Sequence, residues 1–169
     1  FVIAGNYDDL ESNEKALSHL EKALKLSQQE GQLILEGHTY YNLGNCYYKM
    51  GDFDQAAEYF NRAAAIYQEE SSDILPKAFF SLALAYFKLK QLEKADDALN
   101  KGIDIARRSD DAIYLSKFHF LKALYVDDDG RAPMLETFQL LGSKKMYPDI
   151  EDLALEAAEY YNEIGRLSD

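Results

Sequence analysis

The sequence predicts an all-α solenoid of helix–turn–helix hairpins, about four and a half units long, and three observations carry that reading. First, a trio of residues recurs in register: Ile3, Ala4 and Tyr7, then Leu43, Gly44 and Tyr47, then Leu82, Ala83 and Tyr86. Second, another trio keeps the same offsets: Ala16, Leu20 and Ala23, then Ala56, Phe60 and Ala63, then Ala95, Leu99 and Gly102. Third, spacings of three and four residues inside each trio are those of one helical face. A period near 40 residues is the mark of a repeat array in which each hairpin packs on its neighbours. Function in such an array lies on a surface that several units build together.

The units follow in order. Unit one, about 1–31, pairs a helix ending near Leu10 with one from about Asn13 to Gln28. Unit two, about 32–72, has helices over Leu35–Met50 and Phe53–Glu70, broken at Gly51-Asp52 where a helix ends on glycine. Gly44 with Ala56, Ala4 with Ala16, and Ala83 with Ala95 fall where paired helices must approach most closely, inside the usual spacing of roughly 8–10 Å. Tyr47 and Phe60 fill the space between them. Unit three, about 73–110, opens on Asp73-Ile74-Leu75-Pro76, with Asp73 as N-cap and Pro76 in the first turn, and has helices over Ile74–Leu89 and Leu92–Arg107. Unit four, about 111–146, continues the first-helix stripe with Phe118, Leu121 and Tyr125, replaces the usual turn by Asp127-Asp128-Asp129-Gly130, and has a short second helix over Ala132–Leu141. Unit five, about 147–169, is one first helix carrying Ala154, Ala157, Ala158 and Tyr161 and ending at Gly165. Both ends read as cut, so residues 1–169 are expected to be a single solenoid domain from a longer chain.

Composition sets bounds on function. Thirty acidic against eighteen basic residues give a net charge of −12, which disfavours nucleic acid or an anionic membrane as direct partner. No apolar run approaches the roughly 18–20 residues that span a bilayer, and the expected compartment is the cytoplasm. Cys46 stands alone, so no internal disulfide can form, and it reads as a small buried apolar residue. Asp127, Asp129, Gly130 and Glu136 fit part of a calcium loop, but Tyr125 and Pro133 occupy ligand places, leaving a solvated acidic turn. His19, His38 and His119 fall in separate units without metal spacing. No phosphate loop, dinucleotide fingerprint, nucleophile elbow or paired-acid arrangement is present. The expectation is therefore no catalytic residue, no metal and no cofactor.

The opposite side of the first helices is where a ligand would be met. In unit two it presents Tyr41, Asn42, Asn45, Tyr48 and Lys49; in unit three Lys77, Ser81, Leu84, Phe87 and Lys88; in unit five Asp152, Glu156, Glu159, Asn162 and Glu163. An asparagine amide both donates and accepts, so it can pair with a peptide group whatever side chains flank it. Tyrosines add a flat apolar body with a polar tip. Asn42 and Asn45 read equally as solvated helix residues retained for structure. From Asp127 onward eleven acids meet four bases, so this quarter holds −7 of the charge and suits a basic or amino-terminal group, or serves only for solubility.

The segment YYNLGNCYYKMGDFDQAAEYFNRA resembles the tetratricopeptide repeat at nearly every defining column, with a longer second helix than the usual period of about 34 residues allows. That resemblance implies a right-handed superhelix. The segments FVIAGNYDDLESNEKALSHLEKALKLS, SSDILPKAFFSLALAYFK and KFHFLKALYVDDDGRAPMLETF are similar to the C-terminal repeat domain of the Rap proteins, grouped with the NprR and PlcR peptide-sensing regulators of Gram-positive bacteria. The resemblance implies that a short signalling oligopeptide binds the concave face and controls an N-terminal effector region absent from this sequence. In Rap proteins that region is a three-helix bundle that binds response regulators and in some members promotes their dephosphorylation. In the transcription-factor members it is a helix-turn-helix DNA-binding domain, and the resemblance leaves open which of the two the parent carries. Tyr41, Asn42, Asn45, Tyr48, Lys77, Ser81, Leu84, Glu159 and Asn162 are the peptide-binding candidates, and the alternative is a general adaptor that binds a segment of a partner protein. The oligomeric state is left open.

Overall fold

In a computed structural model the described residues, 2–126 and 131–165, form helices α1 (Val2–Glu30), α2 (Leu33–Lys49), α3 (Phe53–Glu69), α4 (Leu75–Lys88), α5 (Leu92–Arg108), α6 (Ala112–Tyr125), α7 (Arg131–Ser143) and α8 (Tyr147–Glu163). The fold is all-α. The chain divides into two compact units, Phe1–Ile105 and Ala106–Asp169.

In the first unit α1 packs on α2, α2 on α3, and α3 on α4. The recurrent columns are its core: Leu43, Ala56, Phe60, Ala63, Leu82, Ala83, Ala95 and Leu99 are each at most 3% exposed. Gly44 is the tightest point. A Cβ built there would lie 2.6 Å from two ring carbons of Phe60, so α2 and α3 approach where only glycine fits. Gly37 repeats the device about two turns earlier on the same face of α2, with Ile66 and Tyr67 each 3.0 Å from its would-be Cβ.

Six of the seven inter-helix turns lie among the described residues, and all six close in one way. A residue just past the helix turns left-handed, at Gly31, Gly51, Ser71, Lys90, Asp110 and Lys145, with φ between 51° and 80°. The next N–H then reaches back to the carbonyl five residues before it: Gln32 to Ser27, Asp52 to Tyr47, Ser72 to Tyr67, Gln91 to Tyr86, Asp111 to Ala106 and Met146 to Leu141, at 2.8–3.0 Å. This Schellman geometry satisfies carbonyls that a helix end leaves unpaired. Two of the helices that follow are then capped by the next residue's carboxylate, Asp52 accepting from Gln55 N–H and Asp111 from Tyr114 N–H.

The expected break in unit one is absent: α1 runs unbroken for 29 residues. In the register where Gly51 ends α2, α1 carries Glu11, and no glycine or proline interrupts it between Gly5 and Gly31. Ala4 and Ala16 consequently share one helix, about 18 Å apart along its axis, and are not a close-approach pair. The expected cap of α4 also differs. Asp73 does not cap it; Ile74 occupies the N-cap place and Ser72 Oγ accepts from the Ile74 N–H, while Pro76 lies in the first turn as expected.

In the second unit α6 packs on α7, and α7 on α8. Phe118 and Leu121 are fully buried as the stripe predicts. Thr137 locks α7 to α6, its hydroxyl accepting from Ser116 Oγ at 2.9 Å and lying 3.0 Å from the Ser116 carbonyl. The Asp127–Gly130 turn lies outside the described residues. On α8 Ala157 of the three stripe alanines is buried, and Ala154 and Ala158 are exposed.

Three substitutions separate packing from backbone strain. Gly44→Ala should lower stability by about 1–3 kcal/mol through overpacking against Phe60, read by urea unfolding. Nothing lies within 4 Å of a Cβ at Gly51, so Gly51→Ala meets only its left-handed backbone and should cost about 1 kcal/mol. Lys90→Gly at the equivalent turn should move stability in the opposite direction, and a loss there would show that the turn is not strained by its side chain.

Candidate peptide-binding face

Tyr41, Asn45, Lys77 and Ser81 come together on the outer side of α2 and α4. The ring of Tyr41 packs against Phe60 of α3 at 5.5 Å between centroids. Its hydroxyl lies 3.0 Å from Ser81 Oγ on α4. Burial raises its pKa, partly offset by hydrogen bonds with Ser81 and with Asn45 one turn along α2. Lys77 places its ammonium 4.9 Å above the same ring. One side chain therefore touches three helices and carries a lysine on its outer face.

This arrangement revises the expected exposure. Tyr41 is 8% exposed, so it supports the face and does not project from it. Phe87 and Glu156, also read as outward, are buried. Tyr48 is half-buried with its ring edge-on to Phe53, and Leu84 is half-buried beside Ser81's turn of α4. Asn42 and Lys77 are exposed and Asn45 is half-buried, which leaves amide and ammonium groups at the surface of the cluster. Glu159 and Asn162 are exposed on α8, in the second unit.

The second unit holds an arrangement that the sequence did not reveal. Lys117 is 6% exposed, its ammonium hydrogen-bonded to the Asp149 carboxylate and 5.0 Å from the Tyr114 ring centroid. Two turns along α8, Glu156 accepts from the Tyr125 hydroxyl, and Tyr125 meets Tyr160 edge-on at 4.7 Å. These carboxylates are engaged by α6. A spacing of seven between Asp149 and Glu156 was the available signal, since it places both on one helical face.

Other chemistry is sparse. Among the described residues no group of three or more His, Cys, Asp or Glu side chains could hold a metal ion, and no helix is long and apolar enough to cross a membrane. Cys46 is half-buried, less enclosed than expected, and burial raises its thiol pKa. His38 Nδ1 lies 2.9 Å from the hydroxyl of fully buried Tyr67, whose pKa burial pushes up to about 12.

The tetratricopeptide repeat family matches residues 3–69 and again 41–112. Response regulator aspartate phosphatase A of Bacillus subtilis (strain 168) is 43% identical over 98% of this chain, which covers 44% of that protein. The solved structure of aspartyl phosphate phosphatase F from Bacillus subtilis superposes with TM-score 0.88 at 36% identity, over 98% of this chain and 44% of that one. A Rap protein complexed with competence and sporulation factor gives TM-score 0.89 at 37% identity, over 99% of this chain and 47% of the other. The chain thus spans about half the length of the curated relatives it matches. The repeat columns and these matches define the chain as a tetratricopeptide-repeat protein. Within that class it resembles the C-terminal repeat domain of the Rap-type response regulator aspartate phosphatases.

Tyr67 makes the fold sensitive to alkali. An unfolded tyrosine ionises near pH 10, whereas Tyr67 holds its proton to about 12. Its contribution is fully present below about pH 10 and is lost as pH rises through about 12, because only the unfolded chain releases the proton in that window. Urea unfolding from about pH 9 to 12 should show falling stability, with a shallower fall in Tyr67→Phe; equal slopes would mean that Tyr67 does not titrate there.

Proposed function

We propose that the outer face of α2 and α4 binds a short oligopeptide, and that this is the signal-sensing part of a cytoplasmic quorum-sensing regulator whose output lies elsewhere in the parent protein. The observation that carries the reading is the Tyr41–Ser81 bridge with Asn42 and Asn45 beside it. A buried, hydrogen-bonded tyrosine fixes the spacing of two first helices, and the amide groups of Asn42 and Asn45 that it does not engage can pair with an extended backbone. Support also comes from the neighbour solved with competence and sporulation factor, a structure similar over 99% of this chain.

Asn42 and Asn45 would grip main-chain groups, with Tyr48 and Leu84 offering apolar contact to side chains. The output is the response-regulator chemistry named in the relatives, performed by a region outside this sequence and governed by peptide occupancy.

The test is calorimetry with peptides selected from a random pentapeptide library. Asn45→Ala should weaken binding by about 1 kcal/mol or more, the scale of one hydrogen bond lost from a partly desolvated site. Unchanged affinity in both Asn42→Ala and Asn45→Ala would remove the amides from the site. A library that yields no ligand, beside capture of a folded protein partner, would favour the adaptor reading.

A further inference from the structure

The apolar residues of α8 leave open which of its sides should pack. Leu153 and Ala157 are buried, with Ile150, Tyr160 and Tyr161 half-buried beside them. At about 100° per residue the next positions around the helix are Ala154, Tyr147 and Ala158, and all three are exposed. The apolar surface therefore continues around close to half of the circumference before Glu151 interrupts it, and only part of it is covered. A steric key is lacking as well. Gly44 admits Phe60 between α2 and α3, whereas on α7 the glycine that meets α8, Gly142, has Ile150 at 4.0 Å from its would-be Cβ, an ordinary contact.

The polar border of the buried side does discriminate. Asp149 and Glu156 lie on it seven residues apart, one facing the start and the other the end of α6. Asp149 accepts from the Lys117 ammonium, which is 6% exposed and lies 5.0 Å from the Tyr114 ring centroid. Glu156, itself 9% exposed, accepts from the Tyr125 hydroxyl. A roll of α8 toward Ala158 would keep much of the apolar contact. It would also carry both carboxylates outward and take Asp149 from a buried ammonium, which is strongly unfavourable.

We propose that the Lys117–Asp149 and Tyr125–Glu156 pairs form a lock that selects the side of α8 packed against α6 and α7, and that α8 rolls to cover Ala154 and Ala158 once the lock is opened. Buried ion pairs add little net stability over apolar residues of the same volume, but they penalise every arrangement that separates them. A polar contact can therefore be nearly neutral for folding and still decide register, as a buried polar residue does between paired helices. The lock makes α8 an element with two faces. Closed, it shows Tyr147, Ala154 and Ala158 to solvent; opened, it shows Leu153 and the two carboxylates.

Thiol labelling reads the roll directly. In the chain with Cys46→Ser, single reporters Ala158→Cys and Leu153→Cys are labelled with iodoacetamide, and circular dichroism follows helicity. With the lock intact, position 158 should label fast and position 153 slowly. Replacing all four partners together, Lys117→Met, Tyr125→Phe, Asp149→Ala and Glu156→Ala, should slow position 158 and speed position 153, changing their ratio by about tenfold or more at unchanged helicity. Lys117→Glu alone sets two acids against each other and should shift the ratio the same way; adding Asp149→Lys restores an ion pair and should return it to the starting value. A ratio that stays constant in all these variants would overturn the lock, since apolar packing alone would then orient α8. Fast labelling at both positions with lost helicity would overturn it too, because the pairs would then hold α8 folded without choosing its face.

Discussion

Phe60 enters the space that Gly44 leaves empty, and the arrangement of the outer face follows from that contact. With a Cβ at position 44 the ring carbons 2.6 Å away would have to move, and α3 with them. Because Phe60 sits there, its ring supports Tyr41, which is then close enough to α4 to bond Ser81 and to carry Lys77. A steric fact about one glycine thus becomes the positioning of polar groups two helices away. Dense interiors transmit displacement in this manner, because a packed ring has no slack to absorb it.

The hairpins were legible in the sequence because their determinants are volumes at fixed spacing. Leu43, Ala56, Phe60 and Ala63 had to be buried wherever the helices lay, and they are. Turn chemistry was less visible. Gly31 and Gly51 announce a left-handed residue, but Ser71, Lys90, Asp110 and Lys145 adopt the same conformation with side chains that give no signal. There the tertiary packing of successive helices outweighs a local cost of about 1–2 kcal/mol. The same balance explains α1 in reverse. Its sequence from Ser12 to Glu30 is rich in strong helix formers, and nothing between Leu10 and Asn13 opposes continuing the helix.

The candidate site was legible only to within one step around a helix. Each residue turns the face by 100°, so a stripe assigned from a few anchors leaves its border residues undecided. Tyr41 lies on that border. An amphipathic ring is at home either in the core or at the surface, and Ser81 across the seam decided for the core by offering its hydroxyl a partner. Asn42, one position on, faces solvent as read. Glu156 was misplaced for a related reason: carboxylates count as surface residues unless a partner is known, and its partner Tyr125 lies 31 residues away on another helix.

Electrostatics distinguish the two units in a way that net charge hides. In the second unit Asp149 and Glu156 are consumed by Lys117 and Tyr125, and Lys117 itself is almost fully buried. Removing one partner of such a pair strands a charge away from water, so these acids fix how α8 lies on α6 before they can serve any ligand. In the first unit the balance is reversed, with a solvent-facing lysine held on a ring and amides close by. An excess of acids therefore does not make every surface of this chain a cation site. On α8 the Glu159 side chain is exposed, whereas the α2–α4 face presents the Asn42 amide and the Lys77 ammonium to solvent.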